Sequence, residues 1–591
     1  MDDEDHGRME EALRQISVRL RGFAPTLQRL QPRHVIAIVV GGTLGVPIAA
    51  GVIFTLLPAF GYLPSISEQV LTVQPWRDLL TTPGLATSVR LTLSTGVAAT
   101  VLGLTLAFSF CAVVHGRMRN RGADGLLAPL LAAPHAAMAI GLAFLIAPSG
   151  WLLRLVSPWL TGSTVPPNVA SVQDPWGMAL VIGLLVKEMP FLLIVILAAL
   201  NQIPVDQQMR AGRALGYGQG IVWVKIIAPQ VYRQIRLPLY VVLAFSLSVV
   251  DMALILAPTN PPPLAVLAFQ WFMSPDIARY MPAAAAAVLQ LLLVAAVIGL
   301  WRLGEWSTAR FGLWWTMRGG RGFTGEPGLK FAAMLGMTVL VLGFGALAAL
   351  AIWSLAWRWP FPDALPSAWS LEIWKRQAHA LIWPLGNTLA LATLTVVAAL
   401  LLAIAWLEAE DRAGVKRRAN VFHPIYLPLL LPQIAFMFGA QVFAVKLGID
   451  GTLPAVAWAH FLFVFPYVLL ALADPWKALD PRYARSAAAL GSSPTGTLVR
   501  IKLPILLRPI LIASAIGFAV SVAQYVPTLF VGGGRVATLT TEAVALASGG
   551  DRRVVGALAV LQSLLPLIVY LAALAVPCIV FADRRALSGR A

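Results

Sequence analysis

Residues 210–216 read Arg210-Ala211-Gly212-Arg213-Ala214-Leu215-Gly216, and Pro229 follows after twelve further residues. About 275 positions on, Arg485-Ser486-Ala487-Ala488-Ala489-Leu490-Gly491 repeats the pattern, and Pro504 again follows after twelve residues. Each copy is a polar loop between long apolar runs. General apolar likeness between helices does not reproduce a polar loop with matched glycine and proline, so the chain is a duplication in which one docking device is used twice. Gly216 and Gly491 supply a turn that a β-carbon would resist, and the small residues before them allow another protein to approach closely.

Working outward from the loops, the flanking sequence is membrane material. The chain has 591 residues, of which 58% are hydrophobic and 12% charged, a composition that excludes a soluble globule with one core. Its apolar runs reach about 20 residues, too long for barrel strands, and backbone groups in hydrocarbon must be satisfied within the segment. The runs are therefore helices. They lie near 35–60, 86–114, 125–147, 177–200, 238–257 and 282–301, then near 331–356, 384–407, 421–446, 456–473, 509–530 and 554–581.

The expected fold is an all-α polytopic membrane protein of two tandem six-helix units, with about twelve transmembrane helices. The first unit covers 35–301 and the second 331–582, between tails at 1–34 and 583–591. The segment 302–330, with Gly319, Gly320, Gly322, Gly325 and Gly328, reads as a linker. An even number of spans makes the repeat parallel. A Leu-Gln pair recurs early in each sixth span, at Leu289-Gln290 and Leu561-Gln562.

A net charge of +17 would suggest nucleic acid in a soluble protein, but the basic residues fall in loops on one side of the spans. Arg117, Arg119, Arg121, Arg210, Arg213, Lys225, Arg302, Arg310 and Arg318 share that side with Lys416, Arg417, Arg418, Arg482, Arg485, Arg500, Lys502 and Arg584. The positive-inside rule makes it cytoplasmic, with both termini there. Arg358, Lys375, Arg376, Arg552 and Arg553 depart from the pattern. The charged N-terminus is unlike a cleavable signal peptide, and residues 9–30 read as a surface helix or a solvated tail. Cys111 and Cys578 form no framework, and the seven histidines have no metal-ligand spacing, so no metal site is expected.

The repeated loop resembles the coupling loop, or EAA loop, of the membrane subunits of binding-protein-dependent ABC importers. The motif residues are Arg210, Ala211, Gly212, Gly216 and Pro229 in one copy, and Arg485, Ser486, Ala487, Gly491 and Pro504 in the other. The resemblance implies a type I importer permease with two permease domains fused in one chain of a bacterial cytoplasmic (inner) membrane. It implies partners as well: two copies of an ABC ATPase that carry ATP and Mg, and a periplasmic solute-binding protein. Arg210 and Arg485 replace the family's acidic residue in both copies, which implies a complementary ATPase groove. No Gly-x-x-x-x-Gly-Lys-Ser/Thr segment occurs, so the chain is read as non-catalytic.

Polar residues at membrane depth are costly and are read as functional candidates. Lys187, Glu188 and Asp251 stand in the fourth and fifth spans of the first half, with Gln524 and Tyr525 near Pro527 in the second. Lys187 is expected to pair with Asp251 while Glu188 lines a wet cavity. After the fifth spans, Thr259 and Asn260, then Arg535 and Glu542, stand where a binding protein would dock. The phrases Val250 to Thr259 and Thr538 to Leu546 are similar to fused permeases labelled as thiamine importers, whose halves are related to ferric-iron and polyamine permeases. A secondary, proton-coupled transporter with a six-plus-six parallel repeat is the alternative, although it has no need of a docking loop in each half. Trp353, Trp357, Trp359, Trp369 and Trp374 read as interfacial anchors.

Overall fold

A computed structural model describes residues 32–64, 69–118, 123–319, 325–414 and 424–581. The surface helix expected at 9–30, the tail 583–591, Arg119, Arg121, Lys416, Arg417, Arg418, Arg584, Gly320 and Gly322 lie outside these residues.

Among the described residues nine helices are long and apolar enough to cross a membrane, and eleven if two bent pairs each count as one span. The bent pairs are Pro424–Leu430 with Ile434–Lys446, at 110°, and Pro494–Ile505 with Leu507–Val522, at 76°. The remaining span of the expected twelve, at 238–257, is divided between Ala228–Ser248 and Asp251–Leu256, and its entering part carries Arg233 and Arg236. The span expected at 125–147 is also broken, into Ala123–Ala132 and His135–Ile146 on either side of Pro134. Proline has no N–H to continue the ladder, and broken helices persist at membrane depth where other groups satisfy the freed backbone.

The sixth span does not stop at 301. The helix Tyr280–Met317 has 38 residues, about 57 Å at 1.5 Å per residue, well beyond a hydrocarbon core of about 30 Å. The glycines that suggested a linker cluster after Met317, and only Gly304 and Gly312 interrupt the extension.

The first span of each half packs against the other half as well as its own. Arg33–Ala59 packs along Ile434–Lys446, and Glu326–Leu355 packs on Leu85–Met118 and His135–Ile146. Glycines allow both contacts. A β-carbon on Gly51 would lie 2.5 Å from the Phe436 carbonyl, and one on Gly141 would lie 2.6 Å from that of Ala346. Between helices in lipid there is little hydrophobic drive, so close packing of small residues carries association. Thr55 adds to it by accepting the Gly439 N–H at 3.1 Å. A π-helical turn at Gly41–Gly45 leaves the Thr43 carbonyl to Trp458, whose indole donates at 3.0 Å. The halves are interlocked as a result.

At the end opposite the repeated loops, Ala356–Arg358 and Ala368–Trp369 form a two-stranded antiparallel ribbon. Arg154, 4% exposed, donates to the carbonyls of Ser149, Trp359 and Pro360 and lies over the rings of Trp353, Trp359 and Phe361. Trp353 and Trp359, read from sequence as interfacial anchors, box a buried guanidinium.

Candidate functional site

The repeated loops fold alike. Val205–Ala214 and Pro481–Ala489 are short helices that end at a glycine in the left-handed region, Gly216 at φ +81 and Gly491 at φ +78. The same bonds close both turns: Tyr217 N–H to Gly212 O and Gly216 N–H to Arg213 O, then Ser492 N–H to Ala487 O and Gly491 N–H to Ala488 O. This is the glycine C-cap that satisfies the last helical carbonyls. Gly212 is small for a packing reason, since a β-carbon there would collide with the Val222 side chain; buried Ala487 holds the matched position.

A second helix then begins at Gln219–Val222 and at Pro494–Thr497. Ser493 caps the latter by accepting the Gly496 N–H at 3.1 Å, while Gly218 offers the former no side chain. Both pass through a π-helical turn, Trp223–Ile227 and Leu498–Lys502, into the fifth span, with Pro229 and Pro504 just beyond. Ile221 and Val222 are buried, whereas Val224 and Ile226 are 43% and 37% exposed. The π turn rotates them off the buried face.

Each loop presents a bare leucine. Leu215 is 60% exposed and Leu490, its counterpart, 88%. Beside them Ala211, Ala214, Ser486, Ala488, Ala489, Arg210 and Arg485 are exposed, a small-residue surface edged with positive charge.

The loops are anchored differently. In the second half Lys502, 5% exposed, meets Glu408 at 2.7 Å and also contacts Asp411, both from the end of Glu372–Arg412. In the first half Lys225 lies 4.4 Å over the Trp315 ring, and the Tyr217 hydroxyl donates to Gly319 O at 3.2 Å, so the sixth-span extension holds that loop. Sequence reading counted Lys502 only as a basic loop residue; an acidic pair closing the second span was the signal available.

From each loop the fifth span runs inward and breaks at matched places, between Ser248 and Asp251 and between Val522 and Val526. The Leu-Gln pairs serve these breaks. Gln290 donates to Leu247 O at 3.0 Å, while Gln562 donates to the Thr540 hydroxyl at 2.7 Å, which in turn donates to Val522 O. His460 staples the second break. The Thr528 hydroxyl donates to Gln524 O at 2.6 Å, so at 2.8 Å it accepts from His460 Nε2–H, leaving Nδ1 to accept from Ser521 at 2.9 Å. Sequence reading passed over His460, which has no spacing partner and is placed only by the tertiary fold.

The polar residues expected at membrane depth gather near these breaks. Lys187, Glu188 and Asp251 are all buried. Lys187 does not form the ion pair expected with Asp251. Its ammonium donates to the carbonyls of Leu130, Leu131 and Ala133, at 3.2, 3.0 and 2.5 Å, where the third span breaks and leaves its C-terminal carbonyls free. Glu188, expected beside water, is buried 3.4 Å from His135 Nε2. Asp251 stands within electrostatic reach of His135 and Lys187, Tyr525 within reach of Asp251, and Tyr467 within reach of Glu188. Gln433 donates to Gln524 Oε1 at 3.4 Å, and the Tyr525 ring lies 5.8 Å from Phe269. Residues of both halves therefore meet in one polar centre.

Beyond the breaks, Leu264–Phe272 and Leu539–Ala547 occupy matched positions. Each gives its first N–H to a threonine of the second span, Leu264 to Thr92 at 2.9 Å and Leu539 to Thr388 at 3.0 Å. Thr259 and Asn260 are exposed, Glu542 is half-buried in a first helical turn, and exposed Arg535 pairs with Asp450.

No family model matches the chain. Among characterised proteins, the inner membrane ABC transporter permease protein YnjC of Escherichia coli K12 is 34% identical over 535 residues, 89% of this chain and 96% of that protein. The permease protein PhnV of Salmonella typhimurium, named for 2-aminoethylphosphonate transport, is 25% identical over 195 residues, covering 32% of this chain and 73% of its own length. The molybdenum transport system permease protein ModB of Mycobacterium bovis is 26% identical over 178 residues, or 29% of this chain and 67% of its own. With a polytopic helical fold, a polar loop repeated in both halves and a relative that matches nearly end to end, the chain belongs to the ABC transporter permease family of the inner membrane.

Proposed function

We propose that the chain is the transmembrane subunit of an ABC importer, forming the solute path between its two halves and coupling it to separate ATPase subunits through the two loops. The observation that carries this reading is the pair of matched loops, each presenting a bare leucine among small residues at a glycine turn. An exposed leucine repeated in both copies fits a groove in a partner rather than water.

The same reading assigns 35–301 and 331–582 as tandem permease domains, with both termini on the loop side. Two ATPase copies, carrying ATP and Mg, would take one loop each, and a binding protein would dock at the opposite end near Thr259, Asn260, Arg535 and Glu542. The chain itself is non-catalytic. Closure of the ATPases draws the loops together, and each loop passes directly into a fifth span whose far end is a break in the polar centre. Movement of a loop is thereby delivered to Asp251 and Tyr525. The substrate is a small solute such as thiamine, a choice supported by the likeness of residues 250–259 and 538–546 to permeases labelled for it.

The test is affinity purification of the tagged chain from its own membranes in mild detergent after light crosslinking, with partners identified by peptide mass. Recovery of a subunit carrying the nucleotide loop, together with a soluble binding protein, supports the importer. Repeated recovery of the chain alone overturns it in favour of a secondary transporter.

A further inference from the structure

Where the sixth span of the first half leaves the lipid, a single carboxylate holds two arginines. Glu305, with its side chain 9% exposed, accepts the hydroxyls of Tyr232 and Tyr240 on Oε1 at 2.7 and 2.9 Å, while its Oε2 meets Arg302 Nη1 at 2.8 Å and Arg236 Nε at 3.2 Å. The Trp301 indole completes the cluster by donating to the Tyr232 hydroxyl at 2.9 Å. Among the described residues neither arginine pairs with another acid. Their side chains stay 27% and 50% exposed, and Arg233, one turn before Arg236, is exposed as well. The negative charge is turned inward and an excess of positive charge faces out.

The duplication supplies an internal comparison. In the register that matches Gly216 with Gly491 and Gln290 with Gln562, the second half has Leu507, Leu511, Ala515, Leu574 and Pro577 where the first has Tyr232, Arg236, Tyr240, Arg302 and Glu305. An apolar set therefore joins a fifth span to a sixth, and packing alone does not call for the ionic one. Depth points to a ligand. Tyr280 to Trp301 carries no charge and rises about 32 Å, one hydrocarbon thickness, so Arg302 opens the headgroup layer on the loop side. Leu303 and Trp306, beside Arg302 on the helix, are 62% and 59% exposed, and bare apolar and tryptophan side chains at this level meet lipid. Guanidiniums there are matched to phosphate, which they bind through two parallel N–H bonds.

We propose that Arg236 and Arg302, oriented by Glu305, form a site for the phosphate of an anionic phospholipid in the loop-side leaflet, with Arg233 adding charge at its edge. The site bridges the fifth and sixth spans just above the first loop. It rests on the membrane fold and is independent of which solute the chain carries.

The intact chain, purified in mild detergent with any ATPase that accompanies it, is melted by intrinsic fluorescence against palmitoyl-oleoyl phosphatidylglycerol, the matching phosphatidylcholine and inorganic phosphate. Phosphatidylglycerol alone should raise Tm in a dose-dependent way. Arg236→Gln with Arg302→Gln should raise its half-effect concentration at least about tenfold, whereas Arg508→Gln, at the exposed position matching Arg233, should leave it unchanged. If the double variant does not fold, Arg302→Gln alone, at the more exposed guanidinium, should give a several-fold weakening. An equal response to phosphatidylcholine removes the charge selectivity, and an equal response to inorganic phosphate makes the ligand a free anion; either overturns the assignment. So does a phosphatidylglycerol response that survives both arginine variants or is lost equally in Arg508→Gln. Loss of the ATPase from the double variant, with no lipid response in the parent, overturns it in favour of a contact with that partner.

Discussion

Gln290 donates its side-chain N–H to the carbonyl of Leu247 at 3.0 Å, at the point where the fifth span of the first half breaks. Its counterpart Gln562 reaches the equivalent carbonyl of Val522 through the hydroxyl of Thr540. The two halves thus solve one problem, a helix end at membrane depth, by a direct bond in one case and a relayed bond in the other. A lost donor at such a site leaves a buried carbonyl without a partner, which costs about 1–3 kcal/mol.

That difference predicts an asymmetry. Gln290→Leu should lower the detergent Tm more than Gln562→Leu, because Thr540 still serves Val522 in the second variant. Thr540→Val should then be at least as damaging as Gln562→Leu. Equal melting of the two glutamine variants would mean that the carbonyls are satisfied in some other way.

Lys187 predicts a second ranking. As a cap on three carbonyls it is structural, so Lys187→Met should destabilise the protein more than Asp251→Asn, by about 1–3 kcal/mol for each carbonyl left bare. Were Lys187 chiefly the counter-ion of Asp251, Asp251→Asn would relieve the effect of Lys187→Met in the double variant. Chemical melts of the two single variants and the double separate these cases.

The leucines at the loop tips are predicted to matter for docking and not for folding. Leu215→Asp with Leu490→Asp should leave expression and Tm within about 0.5 kcal/mol of the parent, as for exposed sites generally, while abolishing co-purification of the ATPase. Gly216→Val and Gly491→Val act through the backbone instead, since a left-handed turn costs a residue with a β-carbon about 1–2 kcal/mol. They should distort the loop and uncouple uptake in cells. Uptake at the parental rate in the double glycine variant would remove the docking role from these loops.

Lys502 with Glu408 is a buried pair, and removing Lys502 leaves Glu408 with the single cation Arg412, at 2.7 Å, so the loss should stay below the ~3–5 kcal/mol of a wholly unpaired buried charge. Lys502→Met is therefore predicted to be destabilising, and Lys502→Met with Glu408→Gln to recover part of the loss. Because Glu408 is shielded from solvent, added salt should change the parent's Tm little. Additive losses in the double variant would show the two residues to be energetically independent.

Much of this architecture follows from residue order. Apolar runs longer than a barrel strand must be helices in lipid, because the backbone has no other partner there. A polar loop with glycine and proline at fixed intervals marks the same turn wherever it recurs, and the φ angles of Gly216 and Gly491 agree with that reading. The Leu-Gln pair was visible as a repeat too, though not for what it does. What residue order determined by itself was local: which segments are helical, where they turn, and that the set occurs twice.

Contacts between distant segments were decided only in three dimensions. The first spans reach into the other half because Gly51 and Gly141 face carbonyls across the boundary, and no local signal records which glycine faces which helix. Lys187 turned from its expected partner to the carbonyls of a break 54 to 57 residues away, since freed backbone groups compete with carboxylates for an ammonium. His460 joined two hydroxyls across a broken helix, and the Tyr525 ring met Phe269 of the opposite half. Helix periodicity states which side chains share a face of one helix; what that face meets is set by packing among all of them.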